Sequence, residues 1–395
     1  MMTIPRVLRV GIDGRPLQPG FREDSGRGIG VYARELLRSL AARHDLAITV
    51  WFEPALELPQ GVIPPGVRTQ RYPATLLPMR NRLSSQLAVS LVAGRRVHDV
   101  FHWLAHVHAP IAPPRHGVVT VHDLILEQFA ELYPRHESAG YRAARKLEAM
   151  AIRNARTIIT DAWATGEDLM ARHQVPRERI QVAPLGVNPH FSPVSAAEVA
   201  GVRKHHRLDA PFVLYLGGID ARKDVPMLLE AFARARKKHK GPLLLVLAGP
   251  VLKAPEYPAL EAKAKELNLG ESLRVLDFVP FEHLARLLTA ANVFAFPSRS
   301  EGFGLPPLEA MACGTPVVST TGGSLREVLG DAALTVEPGN AKAFGRALSQ
   351  VLDDATLRAQ LRAKGLERAA GYTWARTAEA TVAAYRLAAQ RGLTR

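Results

Sequence analysis

A single cysteine, Cys313, stands among 395 residues. One thiol excludes a disulfide framework and a thiolate zinc site. Membrane-spanning runs are missing too: no stretch reaches about 18 apolar residues, so no transmembrane helix is expected. The opening MMTIPRVLRVGID lacks the apolar core and small-residue cleavage site of a secretory leader and reads as a strand. Zinc-finger spacings, RNP-like aromatic motifs and basic repeats are all absent, so nucleic acid is not expected as a partner. These absences point to the cytoplasm.

What remains is a globular composition. Apolar residues make up 47% and charged residues 22%, which excludes disorder, collagen and a multi-span membrane protein. The length suits two or three domains with sizeable cores. The net charge of +14 is shared evenly by the two halves, so no basic arm carries it. A spread excess fits an anionic small molecule, an anionic membrane surface, or simply an arginine-rich proteome. One interval is unusual. Between Glu57 and Asp99 there is no acidic residue, while Arg68, Arg71, Arg80, Arg82, Arg95 and Arg96 are present. Within it, LSSQLAVSLVAG carries Leu83, Leu87, Val89, Leu91 and Val92, a pattern open to a membrane-surface helix or to an ordinary surface helix. Weak peripheral contact with anionic lipid is therefore an expectation.

Apolar, β-branched runs alternate with longer helical stretches throughout. RVLRVGID, LAITVWF, DVFHW, GVVTVHD, TIIT and RIQV come first; FVLYLGG, LLLVLAG, RVLDFV, VFAFPS, PVVST and ALTV follow. Continuous apolar strands between helices imply parallel strands buried on both faces. The pattern is α/β, doubly wound, and it runs twice. The Pro- and Gly-rich stretch APLGVNPHFSPVS (183–195) marks the break, predicting domains over 1–190 and 196–372, with a final helix over 373–395.

Four segments carry chemistry. In SGRGIGVYARELL, Gly28 and Gly30 sit where a glycine-rich loop enters an amphipathic helix, a place where backbone N–H groups can meet an anion. A turn that merely starts a helix is the plainer alternative. In TVHDLI, His122 follows a buried strand, at the sheet edge where such folds bind ligands. In LGGIDARKD, a strand ends in Gly217 and Gly218, and Arg222 and Lys223 then precede a helix; adjacent cations there can neutralise a diphosphate. The most specific segment is PSRSEGFGLPPLEAMACGTPVVST. Glu301 precedes the tight loop Gly302-Phe303-Gly304, two prolines follow Leu305, and a short helix over Leu308 to Cys313 places Glu309 near its first turn. Two carboxylates at one junction can accept hydrogen bonds from several sugar hydroxyls. Cys313 reads as a small packed residue.

With these segments in place, the chain resembles the retaining glycosyltransferases of GT-B fold known as family 4. The likeness runs through IDGRPL, GRGIGVYARELL, TVHDLI with FAELYP, APLGVNPHFSP, LGGIDARKD, EGFGLPPLEAMACGTPVV, TGGSLREV and YTWARTAEATVAAYR. It is nearest in look to bacterial enzymes of surface-polysaccharide synthesis, often mannosyltransferases. The family implies two Rossmann-like domains, the active site in a cleft between them, the acceptor on the first and the nucleotide-sugar donor on the second. It also implies a last helix that returns to the first domain.

Carried over by motif, Arg222 and Lys223 match the pair gripping the donor diphosphate, and Glu301 the carboxylate beside the donor sugar hydroxyls. Phe303, Gly304 and Leu305, with Gly302, match the loop whose amides face sugar and phosphate. Glu309 matches the acceptor of ribose hydroxyls, and Val279 a backbone contact to the base. Gly28, Gly30 and Gly218 fall in the glycine loops near phosphate, and His122 matches the histidine beside the reacting sugar. Ala162-Trp163 replaces a common serine, which bears on the acceptor side or on local helix capping. Arg299 and Ser300 also depart from the usual pattern.

The resemblance implies transfer of a hexosyl unit, mannosyl favoured, with retention. The donor is a nucleotide-diphosphate sugar, GDP-linked by preference and UDP-linked as the alternative, and the acceptor is a glycan or lipid-linked hydroxyl. No cofactor is expected. Asp-x-Asp, the metal motif of the other main glycosyltransferase fold, is absent, which suggests metal-independent transfer. The rivals are a same-fold epimerase or phosphorylase and a non-catalytic sugar-nucleotide-binding protein. The expected place is the cytoplasm, peripheral at the inner membrane face.

Overall fold

The computed structural model of the chain describes residues 7–19, 28–58, 60–73, 89–94, 97–132 and 139–393. It divides into two compact units. One joins residues 1–186 to 374–395, and the other spans 187–373. The division at 186/187 falls before Val187, whose N–H donates to the Tyr372 carbonyl of the second unit.

The first unit holds β1 (Leu8–Asp13), β2 (Leu46–Phe52), β3 (Arg68–Arg71), β4 (Val100–Trp103), β5 (Gly117–Val121), β6 (Thr157–Thr160) and β7 (Ile180–Val182). They form one sheet in the order β3-β2-β1-β4-β5-β6-β7, parallel throughout. The second unit holds β8 (Phe212–Leu216), β9 (Leu244–Ala248), β10 (Leu273–Asp277), β11 (Val293–Phe296), β12 (Val317–Thr320) and β13 (Ala333–Val336). Their order is β10-β9-β8-β11-β12-β13, again parallel. Central strands such as VVTV and FVLY are buried on both faces, which is why their sequence shows no alternation. One strand was not expected. β3 reads RTQR and is exposed along its length, because an edge strand needs no apolar side chain and its charge protects the open edge.

Strand order reverses between β1 and β4 in one sheet and between β8 and β11 in the other. Ligands of doubly wound folds bind outside the carboxyl ends of the strands at such switch points. The loops that follow these four strands are therefore the places to look.

The helix Trp374–Leu393 belongs to the first unit, where it packs on the helix Ile29–Ala41 and on the sheet. Its anchor is polar. Tyr385 Oη lies 2.8 Å from His102 Nδ1, His102 Nε2 lies 2.7 Å from Thr120 Oγ1, and Tyr32 Oη meets the same hydroxyl at 3.1 Å. All four side chains are buried. Burial lowers His102 to about 3, so the imidazole is neutral and serves as a relay between hydroxyls.

The acid-free interval lies partly outside the described residues, which exclude Arg80, Arg82, Leu83, Leu87, Arg95 and Arg96. Of its described apolar residues, Val89 and Val92 are buried in the core with Tyr72, Phe101 and Trp103. Leu58, Leu91 and Val97 are exposed. The expected lipid-facing surface thus loses two of its five apolar side chains to the core. Arg71, also in the interval, donates to the carbonyls of Glu53, Pro54 and Leu56.

Candidate active site

In the second unit the residues after β8 and β11 converge. Asp220 caps a short turn, Ala221–Lys223, by accepting from the Arg222 N–H. Asp224 then takes a left-handed φ of 48° and opens the helix Val225–Lys238. Across the switch point, the loop after β11 delivers Glu301. Its Oε1 receives Lys223 Nζ at 2.6 Å and Arg222 Nη1 at 2.8 Å. Arg222 Nη1 also donates to the Ser300 carbonyl at 2.8 Å, and the Arg299 N–H donates to the Arg222 carbonyl at 2.8 Å. Burial opposes the charge of Glu301, but Lys223 and Arg222 outweigh it and hold the carboxyl below its ordinary range. The sequence assigned cations to phosphate and Glu301 to sugar as separate tasks. In the structure the three side chains form one ion cluster.

The loop is locked from behind by a segment that residue chemistry alone did not single out. Ser324 Oγ donates to the carbonyls of Glu301 and Phe303 at 3.0 and 2.9 Å, and its N–H also donates to Glu301. A Cβ at Gly322 would lie 2.0 Å from the Arg299 carbonyl oxygen, so only glycine permits this approach. The Gly-Gly-Ser of TGGSLREV was the available signal. Arg299, a departure from the family pattern, gains a structural role here: its Nε lies 3.1 Å from Asp224 Oδ2.

Gly304 has φ 101° and starts the helix Leu305–Ala312, which begins three residues earlier than the sequence suggested. The prolines occupy its first turn, where a missing N–H costs nothing. Glu309 therefore sits at the fifth helical position rather than in the first turn. Its carboxyl has no ion-pair partner among the described residues, and burial raises it to about 7. Phe303 is buried, its ring edge-on to Tyr372 at 5.7 Å. Gly302 and Leu305 are half-buried. Gly218 borders open space, and its carbonyl accepts from the Tyr215 hydroxyl. Val279 is buried two residues past the end of β10, beside the exposed Phe278. Cys313 is fully buried, and burial pushes its thiol up to about 12, so it is inert.

In the first unit, His122 follows β5. Its Nδ1 lies 2.7 Å from Asp161 Oδ2 and its Nε2 2.9 Å from the Leu104 carbonyl oxygen. Both ring nitrogens are therefore engaged. Burial disfavours the imidazolium, but Asp161 and the Leu104 carbonyl more than restore it, so the pair holds a proton more readily than a free histidine. Tyr32 fixes the ring edge-on at 4.6 Å. Asp161 itself was missed. It follows β6, next to Ala162, and the helix Trp163–His173 starts with no side-chain cap. The serine replacement thus shows itself as lost capping, worth about 1 kcal/mol.

His122 lines a cavity of about 190 Å³ with Ile29, His106, Asp123, Glu127 and Arg145. Gly28 precedes the helix Ile29–Ala41 with φ 45°, and Gly30 is buried in its first turn. Gly28, at the cap position, has no side chain to cap this helix.

Two doubly wound parallel sheets with charged and glycine-rich loops at their switch points define the GT-B class of glycosyltransferase. The match to the description "Glycosyl transferases group 1" spans residues 202–368, and that to "Glycosyltransferase Family 4" spans residues 26–191. The chain belongs to this family and is a glycosyltransferase. It is 29% identical over 370 residues to O-antigen chain mannosyltransferase B of Escherichia coli, covering 91% of this chain and 96% of that protein. It is 30% identical over 418 residues to the D-inositol 3-phosphate glycosyltransferase of Kribbella flavida, covering 98% and 96%. Among solved structures, Anabaena Alr3699/HepE in complex with UDP and glucose aligns with a TM-score of 0.70 at 18% identity, over 95% of this chain and 98% of that one. That likeness concerns the fold.

Proposed function

We propose that the chain transfers a hexosyl unit, mannosyl favoured, from a nucleotide-diphosphate sugar to a hydroxyl of a glycan or glycolipid, with retention and without a metal. The observation that carries this reading is the cluster of Arg222, Lys223 and Glu301 at the switch point of the second sheet. A leaving diphosphate accumulates negative charge, and two fixed cations with loop amides stabilise it as the bond breaks. The C1–O bond to phosphate breaks while a C1–O bond to the acceptor forms on the same face. The acceptor proton passes to the departing diphosphate oxygen, giving a glycoside and a nucleoside diphosphate. Glu309 accepts from the ribose, the backbone at Val279 meets the base, and the first unit carries the acceptor, with His122 serving the reacting sugar and Gly28 and Gly30 the donor phosphate.

The mannosyl preference rests on the Escherichia coli relative, whose name specifies a mannosyltransferase acting on O-antigen chains. A UDP-hexose is the second reading, favoured by HepE, which was solved with UDP and glucose. The described residues contain no helix long and apolar enough to cross a membrane, so a lipid-linked acceptor would be met at a surface. The test is a thermal-shift screen of GDP against UDP, followed by turnover with the matching hexose donors in excess EDTA and anomer assignment of the product. GDP preference with a retained anomer supports the reading. An inverted product, or activity that only magnesium or manganese restores, overturns the mechanism.

A further inference from the structure

A cluster in the second unit is unused by this chemistry. His205 and His206 end the helix Ala196–His205, and His283 lies in the first turn of the helix Phe281–Ala290, which packs against it. One ring nitrogen from each of the three lies within 4.8 Å of the other two. The rings meet edge to face, at 4.6 Å for His205 and His206 and 5.3 Å for His205 and His283. His206 Nε2 and His283 Nδ1 are buried with no hydrogen-bond partner. Two unsatisfied imidazole nitrogens beside a third imidazole are costly unless something accepts their lone pairs.

We propose that His205, His206 and His283 bind one late divalent transition-metal ion of the zinc class and so clasp the two helices together. Neutral imidazole is the commonest protein ligand for such ions. Zinc–nitrogen bonds of about 2.0–2.1 Å place tetrahedral donors about 3.3 Å apart. The widest pair must close by about 1.5 Å, a shift that rotation of the exposed His205 side chain supplies. The cluster borders a cavity of about 290 Å³, where a water can complete the coordination. Arg286 lines the same cavity, and its Nε lies 3.4 Å from Glu198 Oε1, which offsets its charge. The clasp holds the start of the helix that follows Val279, and it stands apart from Arg222, Lys223 and Glu301 in the chain.

The test uses the full chain without a polyhistidine tag, stripped with EDTA and desalted. Zinc alone is titrated by calorimetry, and cobalt is titrated by its visible absorption. One equivalent binding at about 10 µM or tighter, with a tetrahedral cobalt spectrum and a raised melting temperature, is expected. His205→Ala touches an exposed side chain and leaves folding intact; it and His283→Gln should each weaken zinc at least about tenfold. No stoichiometric binding in this range overturns the proposal. So does binding that persists unchanged in both variants, since the chain has 14 histidines to offer adventitious sites.

Discussion

Glu309 offers the sharpest quantitative handle. Burial lifts its carboxyl from the ordinary 4.5 to about 7. Each pH unit of such a difference is worth about 1.36 kcal/mol, so the ionised form costs the folded state about 3 kcal/mol. The sign follows from linkage. Below pH 4.5 the group is protonated in both states and the neutral carboxyl fits its burial. As pH rises towards 7 the unfolded chain loses the proton first, and stability falls until the folded group also ionises. Glu309→Gln keeps the shape and cannot ionise. It should therefore match the parent near pH 5 and exceed it by up to about 3 kcal/mol at pH 8. Urea unfolding at both pH values, read on the transition of the second unit, measures this. Ligand binding runs the opposite way. Ribose hydroxyls donate to the ionised carboxylate, so nucleoside-diphosphate binding should release about half a proton at pH 7, visible by calorimetry in buffers of different ionisation enthalpy. The glutamine variant should lose that release and bind more weakly by about 1.5–3 kcal/mol. A stability difference that is the same at pH 5 and pH 8 would refute the reasoning.

Three further outcomes follow from the contacts. Glu301→Gln frees Arg222 and Lys223 from their internal anion, so bare nucleoside diphosphate should bind about tenfold tighter, about 1.4 kcal/mol, while turnover with the full donor falls; calorimetry showing unchanged or weaker binding would separate the cations from Glu301 in function. His122→Ala should lower kcat about a hundredfold and leave nucleoside-diphosphate affinity within about twofold, since the ring belongs to the other unit; equal kcat makes it only a loop residue. Tyr385→Phe strands His102 Nδ1 and should destabilise the first unit by about 1–3 kcal/mol, with no change in nucleoside-diphosphate affinity; thermal unfolding with and without ligand reads both parts.

Twelve of the thirteen described strands were legible because buried parallel strands must be apolar along their whole length. RTQR was not, because an edge strand obeys no such rule. The cation pair and both glutamates were legible because their chemistry is rare at a strand-to-helix junction. The joining of Arg222, Lys223 and Glu301 into one ion cluster was not, since Lys223 and Glu301 lie far apart in sequence and meet only through the pairing of β8 and β11. Asp161 and Ser324 act by fixing other residues, a task many polar side chains could perform, so their types alone carry little signal. The histidine cluster escaped for a similar reason: His283 stands far from His205 and His206 until two helices pack.

The account rests most heavily on Arg222 and Lys223 as the diphosphate grip. Calorimetry of nucleoside diphosphate against the parent chain and against the Arg222→Met, Lys223→Met double variant tests this without knowledge of the acceptor. Methionine keeps an unbranched, flexible stem at each position and removes the charge. Loss of two charge-assisted contacts, at about 1.5–3 kcal/mol each, predicts at least a hundredfold weaker binding, with the second unit still folded. Binding within about twofold of the parent would contradict the claim that this cluster receives the donor.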